Sequence, residues 1–374
     1  MPDLQTKRYI GLMSGTSLDG VDGVLADFSG EGSIRTIATA YLPFPQALRD
    51  DLLRLQAPTD NEIHIEALAA KGLAQVYAEC VAKLLADSGT PCDEVTAIGA
   101  HGQTIRHRPE LGYTWQTGNP ALLAELSRID VIADFRSRDI AAGGQGAPLV
   151  PAFHQAVFGN EEETRVVANI GGIGNISLLD RGQTTFGFDT GPGNVLMDTW
   201  IGQHLGRGYD ADGAWAASGK EIPALLADMM AEPYIALPPP KSTGRDLFHA
   251  RWLNHKLAPH ASVQPEDVQA TLAAFTAETL ADAVSRHAPA AAAVYVCGGG
   301  AYNRYLLQRL RQSLQQRHHQ AQVHSTDALG ISPNHVEALA FAWLAQRFVE
   351  RQAGNLPAAT GAKGPRILGA LYPA

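Results

Sequence analysis

The sequence predicts an α/β protein of two lobes, and three observations carry that prediction. Each half of the 374-residue chain opens in the same way, with an apolar strand, a glycine-rich turn and two further strands. Long stretches of helical periodicity follow in each half. A content of 45% hydrophobic against 18% charged residues allows a substantial core, and the 37 glycines call for tight turns or close backbone approaches. The echo between the halves is one of pattern, with no obvious repeat of the residues themselves.

In the first half, strands are expected at 7–14, 23–28 and 34–42, an antiparallel opening that Pro43 and Pro45 close. Residues 60–88 carry Ile63, Leu68, Leu73, Val76, Val81, Leu84 and Leu85 at helical spacing, with Thr59 or Asp60 as cap. A buried strand at 94–100 ends in a polar turn at 101–106; a short helix at 121–127 and a strand at 131–135 follow. In the second half a strand at 165–172 runs into a glycine turn, and 176–179 and 184–188 return from it. Helices are expected at 194–205 and 267–287, then at 303–318 after a strand at 293–297. The final helix, 333–352, has Pro333 in its first turn and Glu337 near its N-terminus. Residues 206–246, with Pro233 and prolines at 238, 239 and 240, read as an irregular insertion that forms part of a lid. Two such lobes facing each other leave a cleft. The lobes are expected at 1–135 and 136–345, with the C-terminal helix, from about 346 to 374, packing back on the first.

Composition also excludes. A net charge of −9 without a long basic run argues against nucleic acid as the partner. Cys80, Cys92 and Cys297 fit no metal spacing and read as reduced thiols. Residues 1–8 are polar and lack the apolar core of a signal peptide, and no segment approaches ~20 uninterrupted apolar residues, so no membrane span is expected. The expectation is a soluble, cytoplasmic protein.

Four motifs carry chemistry. The first is the turn Ser14, Gly15, Thr16, Ser17, Leu18, Asp19, Gly20, Val21, Asp22 between two strands. Backbone amides and hydroxyls converging at such a turn suit a phosphate, although most glycine hairpins only reverse the chain. It differs from the glycine loop that opens a helix and ends in Lys-Ser/Thr, because no lysine follows and a strand continues. Asp19 and Asp22 could orient a hydrated Mg²⁺; Asp22 reads better as a turn-forming acid. The second motif, Gly171, Gly172, Gly174 and Asn175, lets backbone approach a phosphate with no Cβ in the way. The third, Gly298, Gly299 and Asn303, lies between a buried strand and a helix, where it could pack on a nucleobase and ribose or bind an anion.

The fourth motif is the most informative. Asp189 stands at a strand end, before the rigid turn Gly191-Pro192-Gly193 and a helix. That arrangement holds a carboxylate at fixed height, as a general base requires; the competing reading is an Asp that caps the turn. Arg136 and Arg138, in a glycine-rich linker between the lobes, match a carboxylate or phosphate with paired donors, or form surface ion pairs with Asp134 and Asp139. His101 and Gln103 end a strand where substrate hydrogen bonding is plausible.

Together the stretch 11–22, His101-Gly-Gln-Thr104, residues 134–151, 169–175, 188–194 and 333–343 resemble the bacterial anhydro-N-acetylmuramic acid kinases, over about residues 8–350. The resemblance implies the actin-like ATPase and sugar kinase superfamily: two ribonuclease-H-like lobes around an ATP cleft. It implies Gly15, Thr16 and Ser17 as the first phosphate turn, 171–175 as the second and 298–303 as the adenosine turn. Many relatives carry an acid where this chain has Met13, so the Mg²⁺-orienting role falls to Asp19. The implied substrate is 1,6-anhydro-N-acetylmuramic acid, with water as co-substrate: water attacks C1, activated by Asp189, while O6 leaves and captures the γ-phosphoryl group. The products are N-acetylmuramic acid 6-phosphate and ADP, in cell-wall recycling. Arg136 or Arg138 would meet the lactyl carboxylate, and Glu337 would order the substrate; a homodimer is compatible with the resemblance. An actin-like ATPase without sugar chemistry, or a sugar sensor without catalysis, are the alternatives.

Overall fold

The structure is a computed structural model that describes residues 7–15, 18–29, 34–180, 185–245, 247–260 and 262–374. In chain order the strands are β1 (Lys7–Met13), β2 (Gly20–Phe28), β3 (Ile34–Pro43), β4 (Val95–Ala100), β5 (Gln103–Arg108), β6 (Tyr113–Thr117), β7 (Val131–Ala133), β8 (Arg165–Ile170), β9 (Ile173–Leu179), β10 (Phe186–Pro192), β11 (Ala293–Cys297), β12 (Gln322–Ser325) and β13 (Ala370–Tyr372). The helices are α1 (Gln46–Arg54), α2 (Glu62–Ser88), α3 (Pro120–Ser127), α4 (Ser137–Ala141), α5 (Val150–Phe158), α6 (Val195–Leu205), α7 (Ala214–Ser218), α8 (Pro223–Met230), α9 (Pro233–Ala236), α10 (Ala250–Leu257), α11 (Pro265–His287), α12 (Arg304–Gln316), α13 (Val336–Val349) and α14 (Pro357–Thr360). They form two compact units: Met1–Val157 with His335–Ala374, and Phe158–Asn334.

In the first unit the sheet runs β13-β7-β4-β1-β2-β3. β1, β2 and β3 form an antiparallel meander, β4 lies parallel to β1 and β7 parallel to β4, and β13 closes the edge antiparallel to β7. In the second unit the order is β10-β9-β8-β11-β12. There β8, β9 and β10 are the meander, with β11 parallel to β8 and β12 parallel to β11. Apart from β13 the two sheets share one order and one set of directions, so the pattern echo in the sequence is a repeated ribonuclease-H-like topology.

The central strands of the first unit are buried on both faces, as helix-covered strands must be. Gly11 on β1 and Gly99 on β4 are register partners. A Cβ at Gly11 would lie 1.8 Å from the carbonyl oxygen of Ala338, and one at Gly99 2.0 Å from that of Phe341. These two glycines therefore form a trough into which the backbone of α13 sinks. That contact is why α13, whose first ten residues the sequence placed with the second lobe, groups with the first unit from His335 onward.

Residues 136–157 group there too, although the sequence read them as a linker opening the second lobe. The reason is Asp139, fully buried on α4. Its Oδ2 accepts from the Gly146 amide at 2.8 Å, and its Oδ1 accepts from Asn355 Nδ2 at 2.7 Å and Thr360 Oγ1 at 2.8 Å. One carboxylate fastens the glycine-rich segment to the C-terminal one, and a surface ion pair with a neighbouring arginine is not what it makes.

Several segments differ from expectation: α5, α10 and β12 lie where no element was expected, and beyond Val349 the chain is not a continuous helix to 374 but holds only α14 and β13. The polar turn after β4 is the hairpin β5–β6, and α1 follows β3. Residues 206–246 hold the short helices α7, α8 and α9 rather than irregular chain. No helix among the described residues is long and apolar enough to cross a membrane.

Candidate active site

The β1–β2 turn is shaped by its own backbone and by the chain after β4. The Leu18 amide donates to the Gly15 carbonyl at 3.3 Å, and Leu18 takes a left-handed φ of 59°. Leu18 and Val21 are buried core residues, so what they can offer a ligand is backbone alone. Thr16 and Ser17 lie outside the described residues. Ser14 Oγ donates to the Gly102 carbonyl at 3.0 Å and lies 2.8 Å from Tyr77 Oη. Its side chain is thus committed to buried partners. Gln103 Nε2 donates to the Gly15 carbonyl at 3.1 Å.

His101 and Arg136 form one system with this turn. Arg136 Nη2 lies 3.0 Å from His101 Nε2, and His101 Nδ1 lies 3.2 Å from the Ser14 carbonyl. A carbonyl only accepts and a guanidinium only donates, so the partners assign the neutral Nδ1–H tautomer. Burial, and then the Arg136 charge, push the imidazole down to about 3. Both ring nitrogens are occupied, which corrects the reading of His101 as a substrate contact: it braces the turn. Arg136 Nη1 donates to the Gly146 carbonyl at 2.9 Å, and its buried Nε has no partner among the described residues. Burial pulls the guanidinium down to about 10, against the charges of Glu337 and Asp139. Arg138 is exposed on α4.

Asp22 lies directly across the β1–β2 ladder from Met13. Asp22 thus stands on the neighbouring strand at the level of Met13. Burial, and then the charge of Glu337 at the start of α13, raise Asp22 to about 6. Asp22 is not simply a turn-forming acid, because it belongs to β2 and is coupled to Glu337. Asp19 is exposed and ion-paired with Arg49 at 3.3 Å. Gly20 is packed flat against β3, where a Cβ would meet the Leu42 carbonyl at 2.3 Å. A cavity of about 260 Å³ lies behind this system, with Tyr77, His101 and Gly102 in its wall.

In the second unit Asp189 sits inside β10 rather than at its end, since the strand continues to Pro192. The register slips between Asp189 and Gly191, and Thr190 Oγ1 fixes the slip by donating to the Gly174 carbonyl at 3.1 Å. Asp189 pairs with Asn175, which pairs with Asn169, so the three stand in one row across the sheet. Asp189 Oδ2 accepts from the Thr243 amide at 3.0 Å. Burial pushes its carboxyl up to about 7, against that amide and the charge of Lys241.

The glycine turns of this unit have mixed duties. Gly171 and Gly172 link β8 to β9, and their carbonyls accept from the amides of Gly193, Asn194 and Val195, which lock the start of α6 onto the hairpin. In the third turn Gly300 packs on Ile170, with a Cβ placed 2.4 Å from Ile170 Cγ2, while Gly299 is exposed. Asn303 is the N-cap of α12, its Oδ1 accepting from the Leu306 amide at 2.9 Å. The Oδ1 of that side chain therefore serves the helix. Among the described residues no group of three or more His, Cys, Asp or Glu is arranged to hold a metal ion.

The comparisons with known proteins bear directly on this arrangement. A family model described as anhydro-N-acetylmuramic acid kinase matches residues 7–374. The chain belongs to that family. It is 59% identical to the protein of that name from Cupriavidus pinatubonensis, over 99% of both chains. It is 58% identical to the one from Burkholderia cenocepacia, over 98% of this chain and 96% of the relative. Among solved structures, the activator of the 2-hydroxyisocaproyl-CoA dehydratase from Clostridium difficile superposes with a TM-score of 0.50 at 13% identity, over 92% of this chain and 96% of that one. At that identity the likeness concerns the fold alone.

The sequence singled out Asp189 but not the residues that hold it. Tyr234, Lys241 and Thr243 fall in the stretch read as an irregular insertion, and their signal was the run of prolines at 238, 239 and 240.

Proposed function

We propose that this protein phosphorylates 1,6-anhydro-N-acetylmuramic acid at O6 with ATP and opens the 1,6-anhydro bridge in the same reaction. The observation that carries this reading is Asp189, a carboxylate with one oxygen fixed by an amide and its acid form stabilised by burial to about 7. A group poised near neutrality is suited to take a proton from water. The full-length likeness to proteins named for this activity supports it.

The substrate has no free 6-hydroxyl, because O6 bridges to C1. Asp189 takes a proton from water as the water oxygen bonds to C1. The C1–O6 bond breaks, O6 keeps the electron pair and bonds to the γ-phosphorus, and ADP leaves. No second acid is needed to protonate the departing oxygen, unlike ordinary glycoside hydrolysis, because phosphorus takes it. The products are N-acetylmuramic acid 6-phosphate and ADP, and dependence on ATP points to the cytoplasm.

For ATP, each unit offers backbone suited to phosphate: the β1–β2 turn in the first, and residues 171–174 with the open Gly299 in the second. Mg²⁺ keeps most of its shell as water and phosphate oxygens, so one exposed carboxylate on the turn is a sufficient protein contact. Asp19 fits that outer position, exchanging Arg49 for the hydrated ion, and bound Mg²⁺ would neutralise phosphate charge. Of the two arginines, Arg136 is the one built into the first unit's site, and its unpartnered Nε is the donor for the lactyl carboxylate. Glu337 would order the sugar.

A coupled ADP-release assay with the anhydro sugar, its ring-opened counterpart and no sugar tests the reading. Release that depends on the anhydro sugar supports it, and equal release in all three arms sinks it. In ¹⁸O-labelled water the label is expected at C1 of the product; label on phosphate means plain ATP hydrolysis.

A further inference from the structure

Asp189 is held through its amide, its carbonyl and one carboxylate oxygen by a single short segment, residues 234–243. Tyr234 Oη donates to the Asp189 carbonyl at 2.8 Å. The Asp189 amide donates to the Lys241 carbonyl at 3.2 Å, and the Thr243 amide to Oδ2 at 3.0 Å. Lys241 then ties the segment to its own beginning. Its Nζ donates to the carbonyls of Tyr234 at 3.2 Å and Ile235 at 2.9 Å. The ammonium also lies 4.8 Å from the centre of the Tyr234 ring and 5.8 Å from that of Phe188. We infer that Tyr234 and Lys241 are positioning residues for the base, the lysine closing residues 234–241 into a clamp that grips Asp189 and leaves Oδ1 to take the proton. The inference rests on the reading of Asp189 given above.

The geometry explains why a lysine serves here. Its stem spans the turn, its three donors suit two carbonyls, and its charge is shared with two ring faces. The groups around it are few. Asp189 faces it across the segment, and Asp282, Arg286 and His287 face it from α11. The lysine charge favours the ionised form of Asp189, so its loss should move the titration of the base upward.

The test compares wild type, Tyr234→Phe, Lys241→Met, Lys241→Arg and Asp189→Asn with ATP and the anhydro sugar across the neutral pH range. Tyr234→Phe and Lys241→Met are expected to lower kcat by about tenfold, the size of one lost hydrogen bond, with KM for ATP unchanged. Lys241→Met should also shift the acid limb of the kcat profile to higher pH, and Lys241→Arg should return it toward wild type. Wild-type kcat and an unshifted limb in the clamp variants overturn the inference, provided Asp189→Asn is inactive. Wild-type turnover in Asp189→Asn overturns the base reading itself. Should Lys241→Met fail to fold, Tyr234→Phe decides alone, and an unchanged kcat there overturns the clamp.

Discussion

Arg136 donates to Nε2 of His101 at 3.0 Å, while the other nitrogen of that ring meets the Ser14 carbonyl at 3.2 Å. One neutral imidazole thus fastens the arginine to the β1–β2 turn. His101→Leu should leave the Arg136 Nη2 donor and the Ser14 carbonyl without their ring partner, at a cost of about 2–4 kcal/mol. Denaturant unfolding reads this, and KM for ATP should rise alongside because the turn loses its brace. Since His101 is held down to about 3, no limb of the wild-type pH profile near neutrality belongs to it. Wild-type stability in His101→Leu would show that the bridge does not form.

Asp189 predicts opposite pH trends in activity and stability. Its folded value, about 7, lies above the ordinary 3.8. The folded state therefore binds the more protons between these limits, and stability contributed by the protonated group is lost as pH rises from about 4 to about 7. Activity should rise over the upper part of that window, because the base must be ionised. Asp189→Asn should abolish turnover, retain nucleotide binding, and melt above wild type at pH 8 but not at pH 4. Thermal scans at the two pH values check the sign; a variant less stable at pH 8 speaks against a desolvated carboxylate.

The fold and the candidate carboxylate were legible because each leaves a local signature. Strand, glycine turn and strand recur in each half, and Asp189 stands beside Gly191-Pro192-Gly193. The division of the chain was not legible, because it depends on distant contacts. Nothing near Gly11 or Gly99 shows that a helix more than two hundred residues away will sink between them. Asp139 looked like a surface acid in a glycine-rich linker, and its partners Asn355 and Thr360 lie at the far end of the sequence. His101 and Asn303 illustrate a different limit. A polar residue next to glycines serves a ligand or serves the backbone, and the choice is made by partners such as Ser14 and Leu306 that periodicity does not locate.

Asp139 yields a stability prediction with no catalytic component of its own. Its carboxylate accepts from one amide, one side-chain amide and one hydroxyl in a fully buried position. Asp139→Ala strands these donors and should cost about 3 kcal/mol or more. Asp139→Asn keeps the shape and part of the bonding, and should cost less. Limited proteolysis near the C-terminus should speed up in the alanine variant. An intact C-terminal segment together with unaltered unfolding would count against the fastening role.

Gly11 and Gly99 carry the remaining prediction, because they join packing to the site. A Cβ at Gly11 would fall 1.8 Å from the Ala338 carbonyl oxygen and 2.7 Å from the Ala342 amide nitrogen. Neither atom belongs to a side chain that could rotate away, so α13 as a whole must lift. Overpacking of this kind costs about 1–3 kcal/mol or more. Glu337 immediately precedes Ala338, so lifting the helix also withdraws its carboxylate from Asp22. Gly11→Ala and Gly99→Ala should therefore lower the melting temperature and raise KM for the anhydro sugar together. Glu337→Gln, which leaves the helix seated, should impair turnover with little change in melting. If Gly11→Ala melts like wild type, α13 does not rest in the trough, and Glu337 owes its position to something else.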